Sequence, residues 1–395
     1  MKFTVSLQEF HKLLQKVLPA IPPKTTMPIL EHLHFSLAGD LLNVIATDQD
    51  ITIKSFLPVT NGEDGEVLVP GRKLNDIIKL LDLKGNVDFN SNVENFEIKL
   101  KTSTGKYIIK GLNPVEYLNI PELFHSKKPD ISNESDKSSG EPSNIANFKR
   151  EELINLATKT VFAVSGDEFR PAMTGVLFQF RDNFVCAVAT DSYRLAKVIS
   201  RSESGTYPLN LDIIIPARSV ELLKKVDADV IMSLIQTVGK ITHIRFDFGD
   251  TIFITRIIDE KFPPYESVIP GNNNLFLSIN QKDIVTAIQR VSTQTSFVSK
   301  QVRMIIEPEN INISGRDEES GAFGDENLSC EFNGEKLEIG FNFKYLLDAI
   351  EYIETDEESK NQIVMTFSEP TRPVLIKPKN EQLEILMLIM PVRLS

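Results

Sequence analysis

The chain contains 395 residues with a formal net charge of −12, and 41% of its residues are hydrophobic while 25% are charged. This balance is typical of a globular protein of two to four domains at ~100–200 residues each, and no run approaches the ~20 apolar residues of a membrane span. The acidic excess argues against a uniformly basic nucleic-acid binder, although a local basic surface is compatible with an acidic remainder.

Cysteine usage and the first residues limit the cellular context. Cys186 and Cys330 stand far apart with no second pair, which argues against a disulfide framework or a Cys-based zinc site. Residues 1–9 mix apolar with polar side chains and lack the continuous apolar core of a signal peptide. We therefore expect a cytoplasmic protein with no membrane segment.

In the first third of the chain, hydrophobic periodicity predicts short strands and two helices. The first helix has its apolar side at Leu7, Phe10, Leu13, Leu14 and Val17. The second has its apolar side at Leu74, Ile77, Ile78 and Leu81. Strands are predicted over residues 2–5, 30–37, 40–46, 66–69, 87–90, 96–101 and 106–110.

The same order of elements recurs twice. The second pass predicts a helix over Phe148–Val161, a hairpin over 175–180 and 184–188, and a strand over 212–215 that leads into a helix. The third pass predicts a helix with Ile284, Ala287, Ile288 and Val291 on its apolar side, then a strand over 338–343 that leads into another helix. Residues 126–145, rich in Ser, Lys, Asp, Glu and Pro, are predicted to be a flexible linker.

Landmark residues keep their spacing, which indicates repeated domains. Asp48 and Asp191 are separated by almost the same distance along the chain as Pro70 and Pro216. This period is well beyond the ~20–50 residues of solenoid repeats, so the repeated unit is a whole domain. The sequence predicts an α+β fold of three tandem repeats, with domains at 1–125, 146–270 and 271–395 and the linker at 126–145.

A Thr-Asp turn recurs in the repeats. Thr47-Asp48 and Thr190-Asp191 follow equivalent strands, and Asp317 marks a degraded third copy. Asp at such a position caps a turn by accepting backbone N–H bonds. The alternative interpretation is a pair of carboxylates used for acid–base chemistry. Only the second copy continues as Ser192-Tyr193-Arg194-Leu195, so a function confined to one repeat is expected there.

Motifs for cofactor, metal or nucleophilic chemistry are missing from the sequence. The five His residues are scattered, and His32 and His34 would share a strand face without a third ligand. Neither a phosphate-binding Gly-Lys loop nor a Gly-x-Ser-x-Gly elbow is present. We expect no cofactor, no metal and no catalytic residue.

The predicted helices carry basic side chains away from their apolar sides. In a single helix this is typical of a solvated face, but recurrence at equivalent positions indicates one shared basic surface. Such a surface suits phosphate contact without base reading, which is sensitive to salt and independent of sequence. The residues concerned are Lys12, Lys16, Arg72, Lys73, Lys79, Lys149, Arg150, Lys159, Arg218, Lys224, Lys225, Lys282, Arg290 and Lys344.

The carboxyl end of the chain is unusually apolar. Residues 385–389 have the pattern of a last core strand. Pro391 then ends regular pairing and leaves Val392 and Leu394 without an obvious core. This arrangement favours a surface pocket with an adaptable lining that includes Met390.

Five strings occur in a fixed order along the chain. They are Met1-Lys2-Phe3-Thr4-Val5, Met27-Pro28-Ile29-Leu30, Thr190-Asp191-Ser192-Tyr193-Arg194-Leu195, Lys261-Phe262-Pro263-Pro264-Tyr265 and Met390-Pro391-Val392-Arg393-Leu394. In this order they resemble the bacterial DNA polymerase III sliding clamp family, the β subunits of the replicative polymerase, and the resemblance covers the chain apart from the predicted linker. It implies a non-catalytic clamp that tethers the polymerase and confers processivity. It also implies a head-to-tail homodimeric ring around duplex DNA, with helices lining the inner face and antiparallel sheets outside.

The resemblance further implies a set of partners. They are duplex DNA bound without sequence preference, a second copy of the chain, the replicative polymerase alpha subunit, the clamp loader, and other polymerases and repair proteins. DNA would contact Lys24, Arg72, Lys73 and Arg218. The dimer would form through Ile78, Tyr107 and Ile109.

By the same resemblance, partner proteins insert a short peptide of Gln and apolar residues into a pocket. Arg194 and Asn342 would fix the peptide backbone or its Gln. Leu or Phe side chains of the peptide would enter at Leu195, Val268, Met390 and Leu394. The full lining would be Met173, Thr190, Ser192, Tyr193, Arg194, Leu195, Pro263, Val268, Asn342, Tyr345, Pro373, Met390, Pro391, Val392, Arg393 and Leu394.

Ser192-Tyr193, Ser267 and Ser395 depart from the family pattern, and two alternative functions remain. Ser192-Tyr193 stands where Gly-His is frequent, which keeps the pocket but alters its peptide preference. The first alternative function is a scaffold that binds peptides without encircling DNA. The second is a nucleic-acid-processing enzyme that uses Asp48 or Asp191 with a metal.

Overall fold

The computed structural model describes residues 1–118, 143–201, 210–355, 361–380 and 384–394. The predicted linker lies outside these residues up to residue 142, and from Ser143 the chain forms a strand. None of the helices in the described residues is long and apolar enough to cross a membrane. The α-helices are α1 (Leu7–Val17), α2 (Gly71–Ile78), α3 (Arg150–Thr158), α4 (Ala217–Leu223), α5 (Gln281–Ser292) and α6 (Phe343–Glu351).

The strands pair antiparallel in four sheets within the described residues. Those before the linker are β1 (Lys2–Ser6), β2 (His32–Ala38), β3 (Leu41–Thr47), β4 (Ile51–Pro58), β5 (Thr60–Glu63), β6 (Gly65–Pro70), β7 (Asn86–Ser91), β8 (Glu97–Lys101) and β9 (Lys106–Lys110). Those of the middle repeat are β10 (Ser143–Phe148), β11 (Gly175–Arg181), β12 (Phe184–Thr190), β13 (Arg194–Arg201), β14 (Leu211–Pro216), β15 (Val230–Thr237), β16 (Lys240–Phe248) and β17 (Thr251–Arg256). Those of the third repeat are β18 (Leu275–Asn280), β19 (Gln301–Glu307), β20 (Asn310–Asp317), β21 (Ala322–Ser329), β22 (Glu331–Phe332), β23 (Leu337–Asn342), β24 (Gln362–Phe367), β25 (Val374–Pro378) and β26 (Ile385–Ile389).

The first of two compact units consists of residues 1–150 and 226–257. Its five-stranded sheet has the order β5-β1-β7-β8-β9, and its eight-stranded sheet has the order β10-β15-β16-β17-β4-β3-β2-β6. The larger sheet contains strands of two repeats because β17 pairs with β4, from Thr251 opposite Ser55 to Thr255 opposite Ile51. Main-chain hydrogen bonds therefore join the first repeat to the second half of the middle repeat.

The second unit consists of residues 151–225 and 258–395. Its nine-stranded sheet has the order β14-β11-β12-β13-β26-β25-β24-β18-β22, and its four-stranded sheet has the order β21-β20-β19-β23. Strand β13 of the middle repeat pairs with β26 of the third, from Arg194 opposite Ile389 to Val198 opposite Ile385. Both units thus contain the same junction, in which the fourth strand of one repeat pairs with the last strand of the next.

An aromatic cluster fills the core of the first repeat. The rings of Phe3 and Phe89 stack at 4.7 Å between centroids, and Phe10 of α1 meets Phe3 edge-on at 6.2 Å. Phe35 of the eight-stranded sheet lies 5.6 Å from Phe89 and 6.1 Å from Phe10. Because all four rings are fully buried, α1 is anchored to both sheets of the first unit by the same contacts.

The predicted order of elements is confirmed, but several boundaries are wrong and several strands were missed. The helix predicted over Phe148–Val161 is too long, because residues 143–148 pair with β15 and α3 covers only Arg150–Thr158. That pairing uses main-chain groups remote in sequence, which local periodicity does not reveal. Strands β4, β15 and β17 were missed because they are largely buried on both faces and show no alternation.

We predict that Phe10→Ala destabilises the first unit by about 3–5 kcal/mol, because it leaves a cavity between the rings that it separates. Native-state hydrogen exchange of the β1 and β7 amides measures this change. Leu80→Ala is the control, since Leu80 is 82% exposed, and its effect should stay within about 0.5 kcal/mol. Equal exchange rates in the two variants would contradict the role of the cluster.

Candidate functional site

The Thr-Asp turns of the first two repeats have the same hydrogen bonds. Asp191 Oδ1 accepts the N–H groups of Tyr193 and Arg194, each at 2.9 Å. Asp48 Oδ1 accepts the N–H groups of Asp50 at 3.1 Å and Ile51 at 2.7 Å. The predicted turn-capping role of both aspartates is confirmed. Because each carboxylate is committed to its own turn, the geometry disfavours their use in catalysis.

In each turn the residue after Asp adopts a left-handed backbone. Ser192 has φ of 78° and Gln49 has φ of 83°. The N–H of Ser192 donates to Thr190 Oγ1 at 3.2 Å, and Thr190 Oγ1 donates to the carbonyl of Arg194 at 2.7 Å. These bonds compensate for the strain of a left-handed non-glycine residue. Glycine would adopt the same φ without strain.

Arg194 is the centre of the turn in the middle repeat. Its Nε donates to Asp191 Oδ2 at 3.1 Å and its Nη2 donates to the carbonyl of Phe162 at 2.7 Å. Its Nη1 donates to Asp348 of α6. The guanidinium carbon lies 4.7 Å from the ring centroid of Tyr345, also on α6. The arginine therefore ties the middle repeat to a helix of the third repeat.

These contacts give Arg194 a structural role, while its predicted role as a direct peptide anchor stays a prediction. Its side chain is only 12% exposed, and its Nε and both terminal nitrogens have partners within the chain. Burial and internal hydrogen bonds leave it as a positioning residue that holds the turn and α6 together. Asn342 has a second structural role, since its Oδ1 accepts the N–H of Lys344 at 3.0 Å and caps α6.

The last residues form a tail that crosses from the turn to the third repeat. The N–H of Met390 donates to the carbonyl of Tyr193 at 2.8 Å, and the N–H of Val392 donates to the carbonyl of Gly340 at 2.8 Å. Gln301 Nε2 donates to the carbonyl of Arg393 at 3.2 Å. A side chain at position 340 would approach Leu394 closely, so glycine there lets the tail lie flat on β23.

The accessible part of the candidate pocket is aromatic and apolar. Tyr193 is 58% exposed, and its ring stacks on Tyr345 at 6.0 Å between centroids. Val268 is 52% exposed at the end of a 3₁₀ turn, and Met390 is half-buried. Together with the tail, these side chains offer an apolar surface beside a stacked ring pair.

Two predicted wall residues lie beneath this surface. Leu195 is 2% exposed and Met173 is 6% exposed, because β13 and the 3₁₀ turn Pro171–Thr174 direct them inward. Leu195 packs in a buried cluster with Val188, Tyr265 and Leu388, against which Met390 also packs. They support the floor of the pocket and do not form an open wall, which corrects the prediction.

The remaining predicted pocket residues flank the turn and the tail. Thr190 bonds within the turn, and Ser192 accepts a hydrogen bond through Oγ. Pro263 lies just before the turn that contains Val268. Pro373 directly precedes β25, and its carbonyl accepts a hydrogen bond from Asn273 Nδ2. Pro391 and Arg393 belong to the tail, where Arg393 is exposed. Their roles toward a peptide stay predictions.

Arg170 is a site residue that the sequence analysis missed. Its Nη1 donates to Ser192 Oγ at 2.8 Å, and its Nε donates to Asp167 Oδ2 at 2.8 Å. It therefore holds the outer side of the turn. The repeat alignment could have identified this residue, because Arg170-Pro171 matches Met27-Pro28 of the first repeat and both strings lead into a 3₁₀ turn.

The residues predicted to contact DNA belong to both units: Lys24, Arg72 and Lys73 to the first, and Arg218 to the second. Lys24, Lys73, Arg72 and Arg218 are all exposed, and Arg72 Nη2 donates to the carbonyl of Pro22 at 2.8 Å. Lys24 lines a surface cavity of about 510 Å³ with Thr25, Met27 and Asp48. Their role toward DNA stays a prediction.

The predicted basic helix faces are partly neutralised by the chain itself. Lys16 bridges Asp227 at 2.9 Å and Asp250 at 2.6 Å, and buried Lys159 pairs with Glu354. Desolvation lowers the pKa of Lys159 despite this carboxylate. The helix charges open to a ligand are therefore fewer than the sequence count suggested. Further carboxylate pairs involve Lys12, Lys79, Lys149, Lys224 and Arg290.

The structure corrects two of the three residues predicted at a dimer interface. Strand β9 is the outer strand of the five-stranded sheet, but Ile109 is 2% exposed and Ile78 is fully buried. Both point into the core of their own repeat and cannot meet a second chain. Alternation along the strand exposes Ile108 instead, to 55%, while Tyr107 is half-buried.

Three family models match successive parts of the chain. The model of the N-terminal domain of the DNA polymerase III beta subunit matches residues 1–121, that of the central domain matches 147–264, and that of the C-terminal domain matches 266–393. The matches follow the order and approximate lengths of the three repeats.

Relatives of known name match over their full length. The beta sliding clamp of Bacillus subtilis strain 168 is 29% identical over 406 residues, with 100% of both chains covered. That of Staphylococcus aureus strain N315 is 28% identical over 408 residues, with 100% of this chain and 99% of the relative covered. The crystal structure of the Bacillus subtilis DNA polymerase sliding clamp is 27% identical with a TM-score of 0.85 and full coverage of both chains. A sliding clamp from Bartonella birtlesii, bound to griselimycin, is 26% identical with the same TM-score and coverage.

We predict that Asp348→Asn destabilises the second unit by about 1–2 kcal/mol, because it removes a charge partner from a largely buried arginine. Urea unfolding of the full chain, followed by hydrogen exchange in α6, measures the change. Asp76→Asn is the matched control, since Asp76 pairs with Lys79 on an exposed helix face. The positioning role of Arg194 is refuted if both substitutions have the same small effect.

Proposed function

This chain belongs to the DNA polymerase III beta subunit family and is a sliding clamp, a non-catalytic processivity factor, and we propose that it acts as a head-to-tail homodimeric ring around duplex DNA. The ring would hold the replicative polymerase on its template by raising the effective concentration for rebinding. We also propose the domain limits 1–125, 146–270 and 271–395, and a site of action in the cytoplasm with the chromosome.

The observation that carries the ring is the strand order. Junctions inside the chain pair the fourth strand of one repeat with the last strand of the next, namely β4 with β17 and β13 with β26. Within the part of the chain that the structure describes, the equivalent strands without such a pairing are β21, at the edge of the four-stranded sheet, and β9, at the edge of the five-stranded sheet. Pairing β9 with β21 of a second copy would repeat the junction. Because the contact is heterologous, it generates a ring or a filament, and two copies suffice when six domains close the circle.

The two edge strands have complementary side chains. β9 carries Lys106 and Lys110 around the exposed Ile108, whereas β21 carries the exposed Asp325. Opposite charges steer the two edges together, and apolar burial at Ile108 adds to the main-chain bonds. An unpaired edge of this kind is otherwise a liability for aggregation, so a defined partner accounts for both strands.

The proposed DNA contact is electrostatic. In a ring with helices on its inner face, the exposed Lys24, Arg72, Lys73 and Arg218 would meet phosphates without reading bases. The net charge of −12 would discourage DNA from binding the outside. A modest inner charge, reduced by internal ion pairs, suits loose contact that permits sliding.

The proposed peptide site is the exposed surface around Tyr193, Tyr345, Val268, Met390 and the tail to Leu394. Asn342 keeps its Nδ2 amide for a peptide carbonyl or Gln side chain, because only its Oδ1 caps α6. Apolar side chains of the peptide would pack on Val268 and Met390. We propose that the polymerase alpha subunit, the clamp loader, and other polymerases and repair proteins use this site in turn.

We predict that Ile108→Asp converts the dimer to a monomer in sedimentation analysis, because it places a carboxylate in the proposed seam. The same variant should lose salt-resistant retention on nicked circular plasmid after loading. The control is Val238→Asp, at a side chain that is 99% exposed on a hairpin turn, and it should remain a dimer that is retained. Retention by a monomer, or by linear and circular DNA equally, would favour a scaffold that does not encircle DNA.

We predict that Tyr193→Ala combined with Met390→Ala weakens binding of a pentapeptide with Gln, Leu and Phe by at least about tenfold, or ~1.4 kcal/mol. Both substitutions remove exposed contact surface without touching the Arg194 contacts. Isothermal calorimetry on the full chain measures the affinity, and sedimentation checks that the dimer persists. Unchanged affinity would place the peptide elsewhere.

A further inference from the structure

At the end of each repeat, the chain leaves the sheet of its last strand and returns to the sheet that contains β6, β14 or β23. After the last strand of each repeat, one residue forms an isolated antiparallel bridge: Leu112 with Leu68, Ile258 with Ile214, and Val392 with Gly340. The bridged partners lie at matching positions in β6, β14 and β23. The segments that follow Leu112, Ile258 and Val392 are therefore equivalent, and we refer to them as the return segments.

In the first two repeats the return segment places a tyrosine on the sheet. The ring of Tyr117 stacks on His34 at 5.6 Å with an interplanar angle of 19°. The hydroxyl of Tyr265 donates to Gln179 Oε1 at 2.6 Å, and its ring packs with Leu177. Burial raises the pKa of both hydroxyls, so both tyrosines stay neutral. Each ring covers the residue opposite the bridged one.

Strand register identifies the equivalent place in the third repeat. His34 pairs with Leu68 and Leu177 pairs with Ile214, and in the same way Arg303 pairs with Gly340. Among the described residues, no tyrosine of a return segment covers Arg303. An open cavity of about 470 Å³ lies there instead, lined by residues that include Gln301, Arg303, Arg316, Phe323 and Leu394 and the acidic Asp317, Glu318 and Glu319. The guanidinium of Arg303 pairs with Glu338 at 2.9 Å.

We propose that this cavity is a docking site for an extended segment of a partner protein, with an aromatic residue in the place of Tyr117 and Tyr265. A guanidinium favours an aromatic ring over its plane, as Arg194 and Tyr345 show elsewhere in this unit. The partner segment would follow the path of the return segment beyond Val392. We infer an aromatic occupant because Tyr117 and Tyr265 occupy the equivalent positions in the first and middle repeats.

The site differs from the proposed peptide site in its residues and chemistry. The peptide site presents Tyr193, Val268 and Met390, whereas the cavity presents charged side chains of both signs, among them Arg303, Arg316 and Asp317. Leu394 borders both, because the tail runs from one to the other through the Met390 and Val392 hydrogen bonds. The docking site does not depend on the proposed function, and a partner could use both sites through one continuous chain.

The experiment uses the full-length chain and a labelled peptide with the sequence of residues 258–270, the return segment that fills the site in the middle repeat. Fluorescence anisotropy should show saturable binding. Arg303→Glu in the protein, or Tyr265→Ala in the peptide, should each weaken it by at least about tenfold. Arg372→Glu is the matched control, since Arg372 is also an exposed arginine near a carboxylate, and it should leave binding unchanged.

Three outcomes would overturn the proposal. The first is the lack of saturable binding up to about 1 mM peptide. The second is equal loss of binding in Met390→Ala, which would assign the peptide to the other site. The third is dissociation of the dimer by the peptide in sedimentation analysis, which would show that a second copy of the chain occupies the cavity. Binding that survives Met390→Ala and fails with Arg303→Glu supports the docking site.

Discussion

An antiparallel sheet edge leaves N–H and C=O groups unpaired, and the pairing of such edges is the interaction on which this structure depends. Inside the chain, β4 pairs with β17 and β13 with β26, so half-sheets of neighbouring repeats become continuous sheets. The compact units consequently differ from the repeats, and the middle repeat contributes to both. The same constraint applied to β9 and β21 leads to the proposed ring, because equivalent edges need equivalent partners.

The Thr-Asp turn has one local geometry in the first and middle repeats, and in the middle repeat it gains a further role. In the first and middle repeats the aspartate caps the turn with the same hydrogen bonds. In the middle repeat the turn ends in Arg194, whose guanidinium reaches Asp348 and the ring of Tyr345 on α6. A local motif thereby becomes a brace between repeats, and the neighbouring Tyr193 and Met390 are left exposed as the proposed contact surface.

The positions of the charged side chains, more than the net charge, determine where this protein could attract DNA. The net charge is −12, and several basic residues on helices are held by carboxylates of the same chain, such as Lys16 by Asp227 and Asp250. The arginines and lysines proposed for DNA contact are exposed ones at the ends of helices and in a loop. A clamp that slides needs weak and uniform attraction, which such a reduced basic surface supplies.

The sequence by itself determined the repeat, the order of helices and strands, the turn-capping aspartates and the family, because these depend on local periodicity, short-range hydrogen bonds and motif order. Tertiary structure alone decided which side of β9 is buried, so that Ile108 and not Ile109 faces outward. It also decided that β10 is a strand and that Arg194 is internal, since both depend on partners distant along the chain. A local pattern records which residues share a face, but only packing determines what that face meets.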